Sequence, residues 1–176
     1  AAGPELPVLC AQNGVENERL VQRRFGRVIG LAVWIPASFL DPGVALNYSP
    51  RAPIELGCIP SGVDDLTRSV AQDLRASGFA AEARDDVLGW KYAKLLTNAV
   101  SSLDAVCGGR TGLDDLCTRV KEEGMACYRA AGIATWVPDG GSVRSGGVEL
   151  FLAGAQRRAD PGAEFAVHAW MDVDGR

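Results

Sequence analysis

Three polar residues sit four apart in an otherwise apolar stretch: Lys94, Asn98 and Ser102, within the segment from Trp90 to Leu103. On an α-helix, positions i, i+4 and i+8 stack along one face. Leu95, Leu96, Ala99, Val100 and Leu103 occupy most of the remaining surface, and a helix this apolar all round is normally a buried one. A lysine carried into the interior loses hydration, and it tolerates that only with partners or a lowered pKa. Such an amine can give up a proton near neutral pH. The plainer reading of the same residues is a lysine that snorkels to water and two satisfied polar groups of a core.

Other chemistry is poorly supplied. His168 is the only histidine in 176 residues, which argues against nucleophile–histidine machinery and multi-histidine metal sites. No metal ligand set is expected. The five cysteines, Cys10, Cys58, Cys107, Cys117 and Cys127, form no Cys-x-x-Cys pair, so reduced thiols in a cytoplasmic protein are expected. A net charge of -4 argues against a general affinity for nucleic acid. No apolar run approaches a membrane span, and no secretory signal is visible. Lys91, Lys94 and Lys121 are the only lysines.

The elements that must position Lys94 begin with strands. Pro7 to Gln12 is a short apolar run ending at the turn dipeptide Asn13-Gly14, and Val28 to Ile35 is a buried-strand pattern. Asn17 to Phe25 is charged and compatible with helix. A Pro42-Gly43 turn follows Phe39, and short strands are expected over Ala45–Tyr48 and Pro53–Leu56. Asp64 and Asp65 open a helix whose apolar face is Leu66, Val70 and Leu74, and Gly78 ends it. Phe79–Ala83 is expected as an edge strand. Asp85-Asp86 place negative charge at the start of the Lys94 helix, which is expected to run to about Cys107. A third helix covers about Leu113 to Ala131. After Pro138 the pattern breaks down, with Phe165–Met171 the one further strand candidate. No Gly-x-Gly-x-x-Gly loop occurs.

Several of these pieces together resemble the ketopantoate reductases (2-dehydropantoate 2-reductases). Cys10-Ala11-Gln12-Asn13-Gly14-Val15-Glu16-Asn17 is similar to the family's Q-N-G-x-x-N segment. Phe39-Leu40-Asp41-Pro42-Gly43-Val44 is similar to its L-x-P-G-x-V stretch, and Ile54-Glu55-Leu56-Gly57 to its L-x-L-G strand end. Gly78-Phe79, Asp85-Asp86-Val87 and then Trp90-x-x-x-Lys94-Leu95-Leu96-x-Asn98 resemble the start of its helical domain. The resemblance covers about Pro7 to Gly132, in order and at the right separations.

The resemblance implies a fold: an α/β fragment holding the C-terminal strands of a Rossmann-like dinucleotide-binding domain, over residues 1–83, then an all-α domain over 84–176. That second domain would be of the 6-phosphogluconate-dehydrogenase C-terminal kind, its tail divergent from about residue 142. The resemblance also implies NADPH-dependent reduction of 2-dehydropantoate to pantoate for coenzyme A synthesis. Lys94 falls on the family's catalytic lysine, Asn98 on its substrate-binding asparagine, Ser102 on a second substrate contact and Asn13 on the asparagine near the nicotinamide. The family's glycine-rich half is missing from this sequence, and its motifs after Gly141 are not in register. Two alternatives stay open: a non-catalytic remnant or interaction subunit docking on a separate nucleotide-binding chain, and a reductase for another small 2-keto acid. The expected assembly is a homodimer or a pair with a chain supplying the missing half.

Overall fold

In a computed structural model the described residues are 3–109, 111–144 and 146–166. His168 and the end of the Phe165–Met171 strand candidate lie outside them. The chain divides into two compact units, Ala1–Leu95 and Leu96–Arg176.

The first unit is built on a four-stranded sheet in the order β1 (Val8–Cys10), β2 (Val28–Val33), β5 (Pro53–Cys58), β6 (Ala80–Ala83). β1 and β2 run parallel, β2 and β5 antiparallel, and β5 and β6 parallel. A short helix, α1 (Asn17–Val21), joins β1 to β2. The hairpin of β3 (Ala37–Asp41) and β4 (Val44–Asn47) lies between β2 and β5 in sequence, and its turn uses Gly43 at φ +79°. β2 reads as a buried run because five of its six residues are buried, as continuous apolar strands usually are.

Helix α2 (Asp65–Ala76) follows from local signals. The Asp64 carboxylate accepts from the Thr67 backbone N–H at 2.7 Å and forms an ion pair with Arg27 at 2.6 Å. At the other end Gly78 takes φ +91°, Gly78 N–H donates to Arg75 O and Phe79 N–H to Leu74 O. This is a Schellman closure, and its left-handed residue favours glycine. Leu66, Val70 and Leu74 pack against a core of Ile29, Leu31, Ile54, Leu56, Ala71 and Ala81. The hydrogen bonds from Thr67, ahead of the Arg27 pair, hold the Asp64 carboxyl well below the usual carboxylate range. The folded state therefore binds this proton less readily than the unfolded chain. The cap's contribution is complete above the ordinary value of 3.8 and is lost as pH falls through the lower folded value. Asp64→Ala is expected to cost about 1 kcal/mol at pH 7 and less below pH 4, which urea melts at both pH values would measure.

Helix α3 (Val87–Asn98) docks on the sheet at a notch made by two glycines. Gly30 of β2 and Gly57 of β5 lie opposite each other in register. A Cβ on Gly57 would stand 2.2 Å from Arg84 O and 3.0 Å from Val87 Cβ. Any side chain there would push the start of α3 off the sheet. Val87 is fully buried in the notch.

The second unit contains α4 (Ser101–Cys107), α5 (Asp114–Ala130) and α6 (Gly146–Ala153). The expected helical character holds over α4 and α5. From Ala134 onward, however, the chain also forms two parallel strand pairs: β7 (Ala134–Val137) with β9 (Gln156–Ala159), and β8 (Ser142–Arg144) with β10 (Glu164–Ala166). Thr135 and Trp136 in β7 suit extended structure. The single long helix expected from Asp85 to Cys107 is divided. α3 stops at Asn98, and α4 begins after a turn at Ala99-Val100. The bonds there tighten to Ala99 N–H with Leu96 O and Leu103 N–H with Val100 O. The Ser102 hydroxyl donates to Ala99 O at 2.9 Å, the kind of local side-chain bond that competes with helix.

Candidate active site

The geometry of β2 explains where the two lysines of α3 go. Ile59 N–H donates to Val28 O, and Trp34 N–H to Pro53 O. In an antiparallel pair alternate residues bond the same neighbour, so even-numbered residues of β2 face β5 and odd-numbered ones face β1. Val8 N–H accordingly donates to Arg27 O. β1 ends at Cys10, opposite Gly30. The carbonyls of Leu31 and Val33 point to the same side but run past the end of β1.

Two ammonium groups take these carbonyls. Val87, Lys91 and Lys94 fall at i, i+4 and i+7 on α3, one continuous stripe facing the sheet. Lys91 Nζ donates to Leu31 O at 3.4 Å, to Gln12 O at 2.9 Å and to Glu18 Oε1. These contacts use all three of its protons. Lys94 Nζ donates to Val33 O. Lys91 is 3% exposed and Glu18 1%. Glu18 Oε2 has no hydrogen-bond partner among the described residues. Burial, and then the neighbouring Lys91 cation, hold the Lys94 amine below the ordinary lysine value. The Cys10 thiol beside the pair is raised, mainly by burial and then by the Glu18 carboxylate, against the opposing pull of Lys91.

The fully buried amine is thus Lys91, which the Lys94-Asn98-Ser102 spacing does not single out. Lys94 is only partly buried, and α3 is not enclosed all round, since Trp90 and Leu95 are each 38% exposed. Asn13 lies in the exposed loop that follows β1, beside Gln12 and before Gly14 at φ +84°. Asn13 and Lys94 therefore belong to the end of the sheet where the parallel β1–β2 ladder splays open. In α/β sheets ligands bind beyond the carboxyl ends of parallel strands. Asn98 closes α3 and Ser102 lies in α4, and both belong to the second unit. The break at Ala99-Val100 takes Ser102 off the helix that carries Lys94 and Asn98.

No profile of a known protein family matches the chain. A curated 2-dehydropantoate 2-reductase of Pyrococcus horikoshii is 29% identical over 106 residues, covering 60% of this chain and 35% of the relative. The enzyme of the same name from Archaeoglobus fulgidus is 30% identical over 107 residues, covering 60% and 36%. Over about 60% of its length the chain is similar to ketopantoate reductases. The crystal structure of 2-dehydropantoate 2-reductase from Geobacter metallireducens superposes with a TM-score of 0.63 at 24% identity, covering 73% of this chain and 46% of that one. The matched residues accordingly share part of the fold of that structure. The chain spans about a third of the length of the curated enzymes it matches, 35% and 36%. Among its described residues, no helix is long and apolar enough to cross a membrane.

Proposed function

We propose that the chain carries the proton-donating part of a reductase for a small 2-keto acid, with 2-dehydropantoate as the substrate and NADPH as the reductant. The observation that supports it best is the Lys94 ammonium, partly dehydrated at the open end of the β1–β2 ladder with its amine held below the ordinary lysine value. The hydride for the ketone carbon would come from a reduced nicotinamide when one is bound. Lys94 gives its proton to the ketone oxygen, where negative charge would otherwise build up, and a preorganised cation in a dry cleft stabilises that charge strongly. Val33 O holds the amine in place. The resemblance assigns Asn98 and Ser102 to substrate binding, and Asn13 to the nicotinamide.

The residues present fit the nicotinamide end of the cofactor better than its phosphates. Asn13 offers an exposed amide at the strand end. The helix that follows, α1, has only five residues, too short a run of aligned peptide dipoles to anchor a pyrophosphate well. A second reading has its own observation. β1 is the terminal strand of its sheet, and Leu6, Leu9 and Leu20 near it are 50%, 42% and 51% exposed. An unpaired edge with apolar neighbours suits pairing with another chain, one that would carry the phosphate loop.

The test is a fluorescence titration of the purified chain with NADPH, followed by NADPH oxidation with 2-dehydropantoate. Saturable binding and turnover by the chain alone are expected from the first reading. Turnover only after a nucleotide-binding chain is added supports the second. Absence of binding and turnover under both conditions sinks the enzymatic proposal.

A further inference from the structure

We infer that Lys91 and Glu18 form a positioning device for Lys94, one that wedges the splayed end of the β1–β2 ladder and fixes the Asn13 loop beside it. The inference deepens the proposed function and rests on Lys94 being the proton donor there.

Its geometry starts from the parity of β2. Had β1 continued, its next amide would have bonded Leu31 O. The Lys91 ammonium stands in that place, bonded to Leu31 O on one strand and to Gln12 O on the other. It therefore acts as a cross-piece between two backbones that are already diverging. Glu18, near the start of α1, supplies the counter-charge and ties the far side of the Asn13 loop to the same ammonium. The loop Ala11–Glu16 is thus anchored at Gln12 on one side and at Glu18 on the other. Lys94 lies three residues further along α3 and takes Val33 O, the next carbonyl of β2 on that side. The reach of Lys94 and the placement of Asn13 are set by one buried cation.

Neither residue needs to touch substrate for this. Lys91 has its three protons committed within the protein, and both side chains are almost fully buried. The like charge that acts on Lys94 is Lys91 on its own helix, and Lys91 in turn interacts with Glu18 on α1 and the Cys10 thiol on β1. The Lys91 cation disfavours a second positive charge on Lys94, and Glu18 is the counter-charge of that cation.

The chain has only three lysines, so selective 13C labelling at lysine Cε resolves each amine by NMR. In Glu18→Gln/Lys91→Met the like charge next to Lys94 is gone, and the Lys94 titration midpoint is expected to rise towards that of an ordinary lysine. The Ala11–Glu16 amides are expected to exchange faster with solvent. An unchanged Lys94 midpoint in the folded double variant overturns the inference. Should that variant not fold, Glu18→Gln alone keeps the ammonium and removes its counter-charge. The Lys94 midpoint is then expected to fall below that of the parent protein, and no movement overturns the inference. The readout needs neither cofactor nor turnover. A responsive Lys94 in a chain that never reduces a keto acid would leave the positioning device standing and remove the proposed function.

Discussion

Lys91→Met is expected to lower the unfolding free energy by about 3–5 kcal/mol, the usual cost of removing one partner of a buried ion pair. The substitution keeps the volume and the apolar stem but leaves the Glu18 carboxylate in the interior, where it is 1% exposed and has one oxygen already without a partner among the described residues. It also frees the carbonyls of Gln12 and Leu31. Glu18→Ala strands the ammonium instead, with a comparable effect. The paired change Glu18→Gln/Lys91→Met removes both charges together and is expected to recover most of the loss, because exchanging a whole buried pair for neutral groups is often close to neutral. Urea unfolding of the three variants measures this, each fitted for midpoint and slope. A single substitution costing under about 1 kcal/mol, the range of exposed ion pairs, would mean that water reaches the pair.

The second large effect concerns turnover. Under the proposed function, Lys94→Ala is expected to reduce kcat/KM for the 2-keto acid by about 10²–10⁴-fold, the usual range for a general acid, or about 3–5 kcal/mol of transition-state stabilisation. Lys94→Arg keeps the charge but holds its proton too tightly to donate it, so little of the rate should return. The pH dependence has a definite sign. Donation needs the protonated amine, so the rate falls as pH rises through the Lys94 midpoint. Burial and the Lys91 cation place that midpoint below the ordinary lysine value, so the decline starts earlier than a surface lysine would allow. Stability should change little in Lys94→Ala, because this side chain is only partly buried. That contrast with Lys91→Met separates the two lysines by measurement. Equal kcat/KM for Lys94→Ala and the parent protein, in whichever preparation turns over, would exclude Lys94 as the proton donor.

Local chemistry made a good part of this fold readable from the sequence. Asp64 ahead of Leu66, Val70 and Leu74, with Gly78 behind them, defines α2 because caps and apolar spacing act within a few residues of chain. Pro42-Gly43 defines a hairpin turn, and the apolar run from Val28 defines a buried strand, on the same grounds. The approximate end of β1 and the turn at Asn13-Gly14 were readable too. The break at Ala99-Val100 was not. The apolar spacing continues through it, while the competing hydroxyl bond from Ser102 depends on a local geometry that spacing does not encode.

What tertiary structure alone decided is which lysine is buried. Lys91 and Lys94 share one stripe of α3, and nothing local distinguishes them. The difference comes from three distant facts: a glycine pair that seats Val87, a strand that stops at Cys10, and a carboxylate 73 residues away on α1. Residue types and periodicity specify which face of a helix turns inward. What that face meets depends on backbone groups left unpaired elsewhere, and only the folded sheet brings those groups to it.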